Sequence, residues 1–197
     1  MNGEFLRVLA VESFRNTPRA LRMLQGLNLP MGALWSALVL AAALSTLASV
    51  IQARLIGLDA GTSLGQLMTS PLSMASIQLA GLSIGAWLWY MVGRMLGGTG
   101  QFSDALVVVA WIEFLLVAAQ LVQMVLMLLF PFFSALVGLA AFAGFVYLVI
   151  NFTKPMHGFV STLKIFLVMF VTISVAVYLL SGLALALGLI EPPVAPA

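Results

Sequence analysis

Few side chains in this chain could move a proton, hold an ion or attack a substrate. The one in the most telling place is Glu113. It stands inside residues 104–130, which apart from Glu113, Gln120 and Gln123 are apolar for about 25 residues. At 1.5 Å per residue the run covers about 37 Å, more than a hydrocarbon core of about 30 Å, so it is expected to cross a membrane. Ser103 or Asp104 is the expected N-cap, which puts Glu113 roughly 13 Å inside. A carboxylate at that depth costs about 2–3 kcal/mol even on lenient insertion scales, so it must face protein or water. Gln120, seven residues on, shares its face, and Gln123 is rotated partly away. Two chemistries suit such a residue. Glu113 carries a proton or a cation, or it is a hydrogen-bonded structural carboxyl that fixes helix packing. A transport path usually shows several ionisable groups or broken helices inside the bilayer. Here only Glu113 lies clearly inside, which favours the structural role.

The remaining chemistry is sparse. His157 is the single histidine and shares its loop with Lys154 and Ser161 but no carboxylate. Metal binding there lacks ligands, and no Ser-His-Asp or paired-carboxylate set is visible. His157 with Gly158 and Phe159 is read either as a cytoplasmic contact or as a plain turn. The glycines of Gly97-Gly-Thr-Gly could suggest a phosphate cradle, but no strand precedes them and no Gly-Lys-Ser/Thr follows. With no cysteine in the chain, disulfides, thiolate metal sites and Cys nucleophiles are excluded. No catalytic set, metal or cofactor is therefore expected.

The elements that must position these residues are long and oily. Of 197 residues 63% are hydrophobic and only 7% charged, far from the roughly one quarter charged that a soluble domain carries. The net charge of +2 is too small, and too dispersed, to suggest nucleic acid. The expected fold is all-α and integral to the membrane: a bundle of five transmembrane helices preceded by a short amphipathic N-terminal helix. Residues 1–30 form the cytoplasmic amphipathic segment, 31–188 the bundle and 189–197 an unstructured tail. In the first segment Thr17-Pro18 is a cap-plus-first-turn pair and Gly26 a stop. Ala20, Leu21, Met23 and Leu24 fall on one side, Arg19, Arg22 and Gln25 on the other, which suits a helix in the headgroup region or a solvated linker. The first 30 residues hold four arginines and no long apolar run, so no signal peptide is expected and the first span serves as the insertion signal.

The spans are read at about 32–53, 72–93, 104–130, 132–152 and 163–187. In the first, Ala33, Ala37, Ala41, Ser45, Ser49 and Ala53 recur every four residues, a small-residue ladder that lets another helix approach closely. A pore lining is the alternative. In the second, Ser73, Ser76, Ala80 and Ser83 with Gly81-x-x-x-Gly85 mark close packing again, and in the fourth Ser134, Gly138, Ala141 and Gly144 supply a small face. Pro131 forces an antiparallel hairpin. Loops are expected over 54–70 and 151–161. With the N-terminus inside, the inner segments hold Arg7, Arg15, Arg19, Arg22, Arg94, Lys154 and Lys164, and the outer segments only Arg54. Seven basic residues against one predict a cytoplasmic N-terminus and an external tail. Matching depth from the helix ends then puts Ser45, Ser83, Tyr147 and Thr172 or Ser174 near Glu113.

Five spans after an amphipathic segment, Gly97-Gly-Thr-Gly-Gln-Phe-Ser-Asp-Ala-Leu106 before the third, and Asn151-Phe152 with His157-Gly158-Phe159 before the fifth resemble the Yip1 domain family in its bacterial form, over roughly residues 10–188. Where that pattern often carries an acidic residue before His-Gly-Phe, this chain has Pro155-Met156. The resemblance implies a multispanning membrane organiser or adaptor without catalysis. Eukaryotic relatives associate with small prenylated GTPases and with each other in membrane trafficking. Their contact surfaces would be the N-terminal segment and the cytoplasmic loops, here Arg19, Arg22, Phe102, Asp104, His157, Gly158 and Phe159. A chain this small points to a bacterial inner membrane, with the bilayer, other membrane proteins or a second copy as partners. The alternative function is a small transporter or channel component using Glu113, Gln120 and Gln123.

Overall fold

The computed structural model describes residues 3–57 and 69–186, without the side chains of Thr162, Leu183 and Ala184. Most of the loop expected over 54–70, and the tail, lie outside the described residues. Seven α-helices fill the rest: α1 (Gly3–Arg15), α2 (Thr17–Gln25), α3 (Met31–Leu55), α4 (Pro71–Met95), α5 (Phe102–Leu129), α6 (Pro131–His157) and α7 (Thr162–Ala186). Five of them, α3 to α7, are long and apolar enough to cross a bilayer. The protein is therefore a multi-pass membrane protein.

The helix ends follow local chemistry and correct several boundaries. The cap of α2 is Asn16, not Thr17: its side-chain oxygen accepts the Arg19 N–H at 3.2 Å, with Pro18 in the first turn. The central span starts at Phe102 rather than Asp104. Gln101 caps it in a reciprocal box, in which the Asp104 carboxylate accepts the Gln101 backbone N–H at 3.0 Å. Phe130 alone separates α5 from α6, and Pro131 opens the next helix, as the hairpin expectation required. The fourth span does not end at Phe152. It runs through Pro155 to His157, because Phe152, Thr153, Met156 and His157 are all buried and hold the last turns in place. Gly158, at φ +69°, then closes it in the left-handed conformation, with the Phe159 N–H reaching back to the Lys154 carbonyl at 3.0 Å.

Helix α5 is the hub and packs against α3, α4, α6 and α2. Its buried residues, Ala105 to Val117, stop shortly past its midpoint, while Leu121, Val125 and Leu128 are exposed, as are Phe132, Leu136 and Leu139 of α6. The solid core thus sits toward the end that carries α1 and α2. The rest of the α5–α6 hairpin faces lipid, a solvent as apolar as these side chains. The small-residue ladder of α3 points inward, with Ala41, Ser45 and Ala53 buried, and lets α3 lie close on α5.

Helix α1 is an addition to the expected architecture. It pairs with α2, and the turn between them is sunk beside the bundle. The Trp111 indole N–H donates to Ser13 Oγ at 2.8 Å, and Tyr147 Oη donates to the Phe14 carbonyl at 2.8 Å, with the Phe14 and Tyr147 rings stacked at 6.1 Å. Trp111 stands nine residues into α5, so this turn reaches well past the helix start. The Trp111 bond to the fully buried Ser13 hydroxyl holds the hairpin more firmly than the exposed Arg19–Glu12 pair at 3.1 Å, since such exposed pairs contribute about 0.2–1 kcal/mol.

Candidate functional site

Glu113 is 6% exposed. Its Oε1 accepts the Gln78 side-chain N–H at 2.7 Å, and the same amide nitrogen lies 3.3 Å from Ser45 Oγ. Three helices, α3, α4 and α5, thereby meet at one carboxyl. Two turns further along α5, the Gln120 amide donates to Ser49 Oγ at 3.1 Å and to Gln52 Oε1 at 3.2 Å, both on α3. A polar seam therefore runs up the α3–α5 contact. Gln123 lies outside it and packs over Gly138 of α6, where an added Cβ would stand 2.7 Å from its amide nitrogen.

Of the hydroxyls expected near Glu113, Ser45 is there and Thr172 lines the same cavity. Ser83 is neither hydrogen-bonded to it nor part of the cavity lining, Tyr147 is engaged with Phe14, and Ser174 is exposed. Gln78 is the partner that sequence reasoning missed. The reason is axial register. The Phe102 ring lies 5.9 Å from Tyr90 and 6.2 Å from Trp35, so the start of α5 is level with Tyr90, not with the end of α4 at Met95. Counting twelve residues back from Tyr90 reaches Gln78, and eleven on from Phe102 reaches Glu113. A lone amide inside an apolar span was the available signal, the same one that picked out Gln120.

A cavity of about 220 Å³ adjoins Glu113, walled by Gly85 and Trp89 of α4, Phe145 of α6, and Met169 and Thr172 of α7. The walls are almost wholly hydrocarbon. Gly81 and Gly85 face open space rather than a tight helix contact: nothing lies within 4 Å of a Cβ at Gly85, and Gly81 meets only Leu180 at 3.7 Å. The close-packing expectation for that pair is therefore overturned, and Gly85 helps to form the void.

The tightest approach occurs at the other end of α4. His157 is buried, and its ring lies directly on Gly93, where an added Cβ would land on the imidazole. Cβ atoms at Gly98 and Gly100 would stand 2.6 Å and 2.9 Å from its Nδ1. The Trp89 carbonyl comes near the ring, but neither ring nitrogen is in hydrogen-bond geometry with any described residue. Phe159 stacks on His157 at 5.4 Å, and the Thr99 N–H donates to the His157 carbonyl at 3.2 Å. One turn along, the Trp89 indole donates to Thr153 at 2.9 Å. Lys164 covers the joint, donating to the Leu96 carbonyl at 3.1 Å with its ammonium 5.7 Å from the Phe159 ring. The loop glycines thus form a socket for an imidazole.

The residues singled out as cytoplasmic contacts divide accordingly. His157 and Phe159 are buried in this joint, and Gly158 caps α6. Phe102 is clamped between Trp35 and Tyr90, and Asp104 accepts the Gln25 side-chain N–H at 3.0 Å, tying α2 to α5. Arg19 and Arg22 remain exposed on α2. Among the described residues no three of His, Cys, Asp and Glu converge on a metal-sized site.

Apolar helices threaded side by side, with their few polar groups spent on one another, define a polytopic helical membrane protein. The chain belongs to the Yip1 domain family, whose model matches residues 17–184, from the first residue of α2 to the last turns of α7. No curated protein and no solved structure matches the chain.

Proposed function

We propose that this protein is a non-catalytic organiser or adaptor that holds partner membrane proteins or lipids. The observation that carries this reading is the state of Glu113: its carboxyl is bonded to Gln78, and the adjoining cavity is walled by hydrocarbon rather than by polar groups that would hold water. A carboxyl so enclosed ties helices together. Arg19 and Arg22, exposed on a helix anchored to α5 through Gln25 and Asp104, offer a firm basic face to partners.

The test is reconstitution in liposomes carrying pH- and cation-sensitive dyes. Leakage equal to that of empty vesicles is expected. A proton or cation flux that disappears in Glu113→Gln would favour the transporter alternative, for which the α3–α5 polar seam is the supporting feature.

We further propose that the N-terminus is cytoplasmic, on the distribution of seven basic residues against one, and that the membrane is a bacterial inner membrane, on the likeness to the bacterial form of the family. Epitopes at Met1 and Ala197 are expected on opposite faces of spheroplasts. Finding both on one face would overturn this topology.

A further inference from the structure

We infer that the cleft between the start of α2 and the end of α6 binds the headgroup of an anionic phospholipid. The α5–α6 hairpin places the bilayer. Its turn, from Leu128 to Phe133, carries no polar side chain, and Phe130, Phe132 and Phe133 are exposed, so it stays at the edge of the hydrocarbon. A hydrocarbon core of about 30 Å is about 20 residues of helix. Counted from that turn, the opposite edge falls at the level of Trp111 on α5 and Asn151 on α6.

The turn between α1 and α2 sits at this second edge. Ser13 is bonded to Trp111, and Thr17 and Pro18 share the cleft with Asn151. Phe14 reaches deeper: a Cβ at Gly144 would lie 3.7 Å from its ring, and Gly144 is seven residues, about 10 Å, on the hydrocarbon side of Asn151. Acyl chains therefore cover Val11 and Phe14, which the protein leaves exposed, and the charges around the turn lie in the phosphate layer.

The cleft has a volume of about 410 Å³. Lys154 lines it, is exposed, and has no hydrogen-bond or carboxylate partner among the described residues. Asn151 gives one amide N–H to the Tyr147 carbonyl at 2.8 Å and keeps a second. No carboxylate stands in the lining, so the donors suit a phosphate. Arg15 lies two residues before Thr17, and Arg22 one turn after Pro18, both exposed. The nearby carboxylate, Glu12, is already taken by Arg19 at 3.1 Å. A zwitterionic head would bring its own cation against these charges, whereas a phosphatidylglycerol head brings none. Each basic residue at a membrane surface is worth about fivefold in affinity for anionic lipid. The site rests on the organiser reading, since it names the lipid class held. Binding is read directly below, whereas failure of that reading appears as flux through liposomes.

The experiment titrates the full chain in mild detergent with phosphatidylglycerol or phosphatidylcholine and counts bound lipid by native mass spectrometry. Folding of each variant is checked by thermal unfolding. Phosphatidylglycerol is expected to bind its first site at least tenfold more tightly than phosphatidylcholine, and excess inorganic phosphate to leave it in place. Lys154→Gln should weaken phosphatidylglycerol about fivefold. Arg94→Gln, which removes the same charge at the same end of the bundle but outside the cleft, should not. The chain has no cysteine, so a nitroxide on Val11→Cys reports depth in nanodiscs. Oxygen is expected to reach it, and a water-borne nickel chelate is not. Equal affinity for the two lipids, an Arg94→Gln loss as large as that of Lys154→Gln, displacement by phosphate, or nickel access at residue 11 would each overturn the inference.

Discussion

Alanine at Gly93 is expected to destabilise the protein by about 3 kcal/mol, the upper end of what overpacking a well-filled core produces. The added methyl would land on the imidazole of His157. Relief by moving α4 is blocked from both sides. Trp89, one turn earlier, is bonded to Thr153 at 2.9 Å, and the Gly98 N–H is bonded to the Gly93 carbonyl at 2.8 Å. Relief by moving the ring is blocked by Gly98 and Gly100, whose backbones already approach as closely as glycine allows. The ring must therefore leave, taking the stacked Phe159 and the end of α6 with it. Unfolding in mild detergent, followed by tryptophan fluorescence, measures the loss. His157→Ala in the same chain should restore part of it, so that the double variant is at least 1 kcal/mol more stable than the two single effects predict. Additivity of the two changes would mean that the socket is not a mutual fit.

Leucine at Gln78 is the second large effect, about 2–3 kcal/mol of destabilisation. Two magnitudes compete here. Hydrogen bonds between membrane helices are worth only about 0.6 kcal/mol on average, because the unfolded chain in the bilayer also finds partners. A buried acceptor stripped of its donor, however, loses about 1–3 kcal/mol, more when it is charged. Glu113 is enclosed and Gln78 is the donor that reaches it, so the second term wins. Glu113→Gln keeps a hydrogen-bonding amide of similar size and should cost less than about 1 kcal/mol. Replacing both Gln78 and Glu113 by leucine removes donor and acceptor together, and should recover most of the stability lost in Gln78→Leu alone. A double variant as unstable as the single one would show that the pair does not act through this bond.

Much of this architecture was legible in the chain. Five apolar runs of membrane-spanning length, the hairpin at Pro131, the inward ladder from Ala33 to Ala53 and the central place of the helix bearing Glu113 all follow from residue type and spacing. Insertion into a bilayer is close to a sum over residues along one axis, so the chain determines it without reference to the fold. The N-terminal helix α1 escaped because its apolar residues are mixed with Glu4, Arg7, Glu12 and Arg15, and its place depends on Trp111 and Tyr147 far along the chain.

Tertiary structure alone decided how far each helix slides past its neighbours. Equal depth from the helix ends pointed to Ser83, Tyr147 and Ser174, whereas the Phe102 ring, wedged between Trp35 and Tyr90, sets a register that delivers Gln78 to Glu113. In the same way Gly81 and Gly85, the glycines with the familiar packing spacing, border a void, while Gly93 takes the close contact. Sliding one apolar helix along another changes little in its exchange with lipid, so hydrophobicity leaves the register free. Only the shapes that interlock, a ring in a glycine socket or an amide within reach of a carboxyl, can fix it.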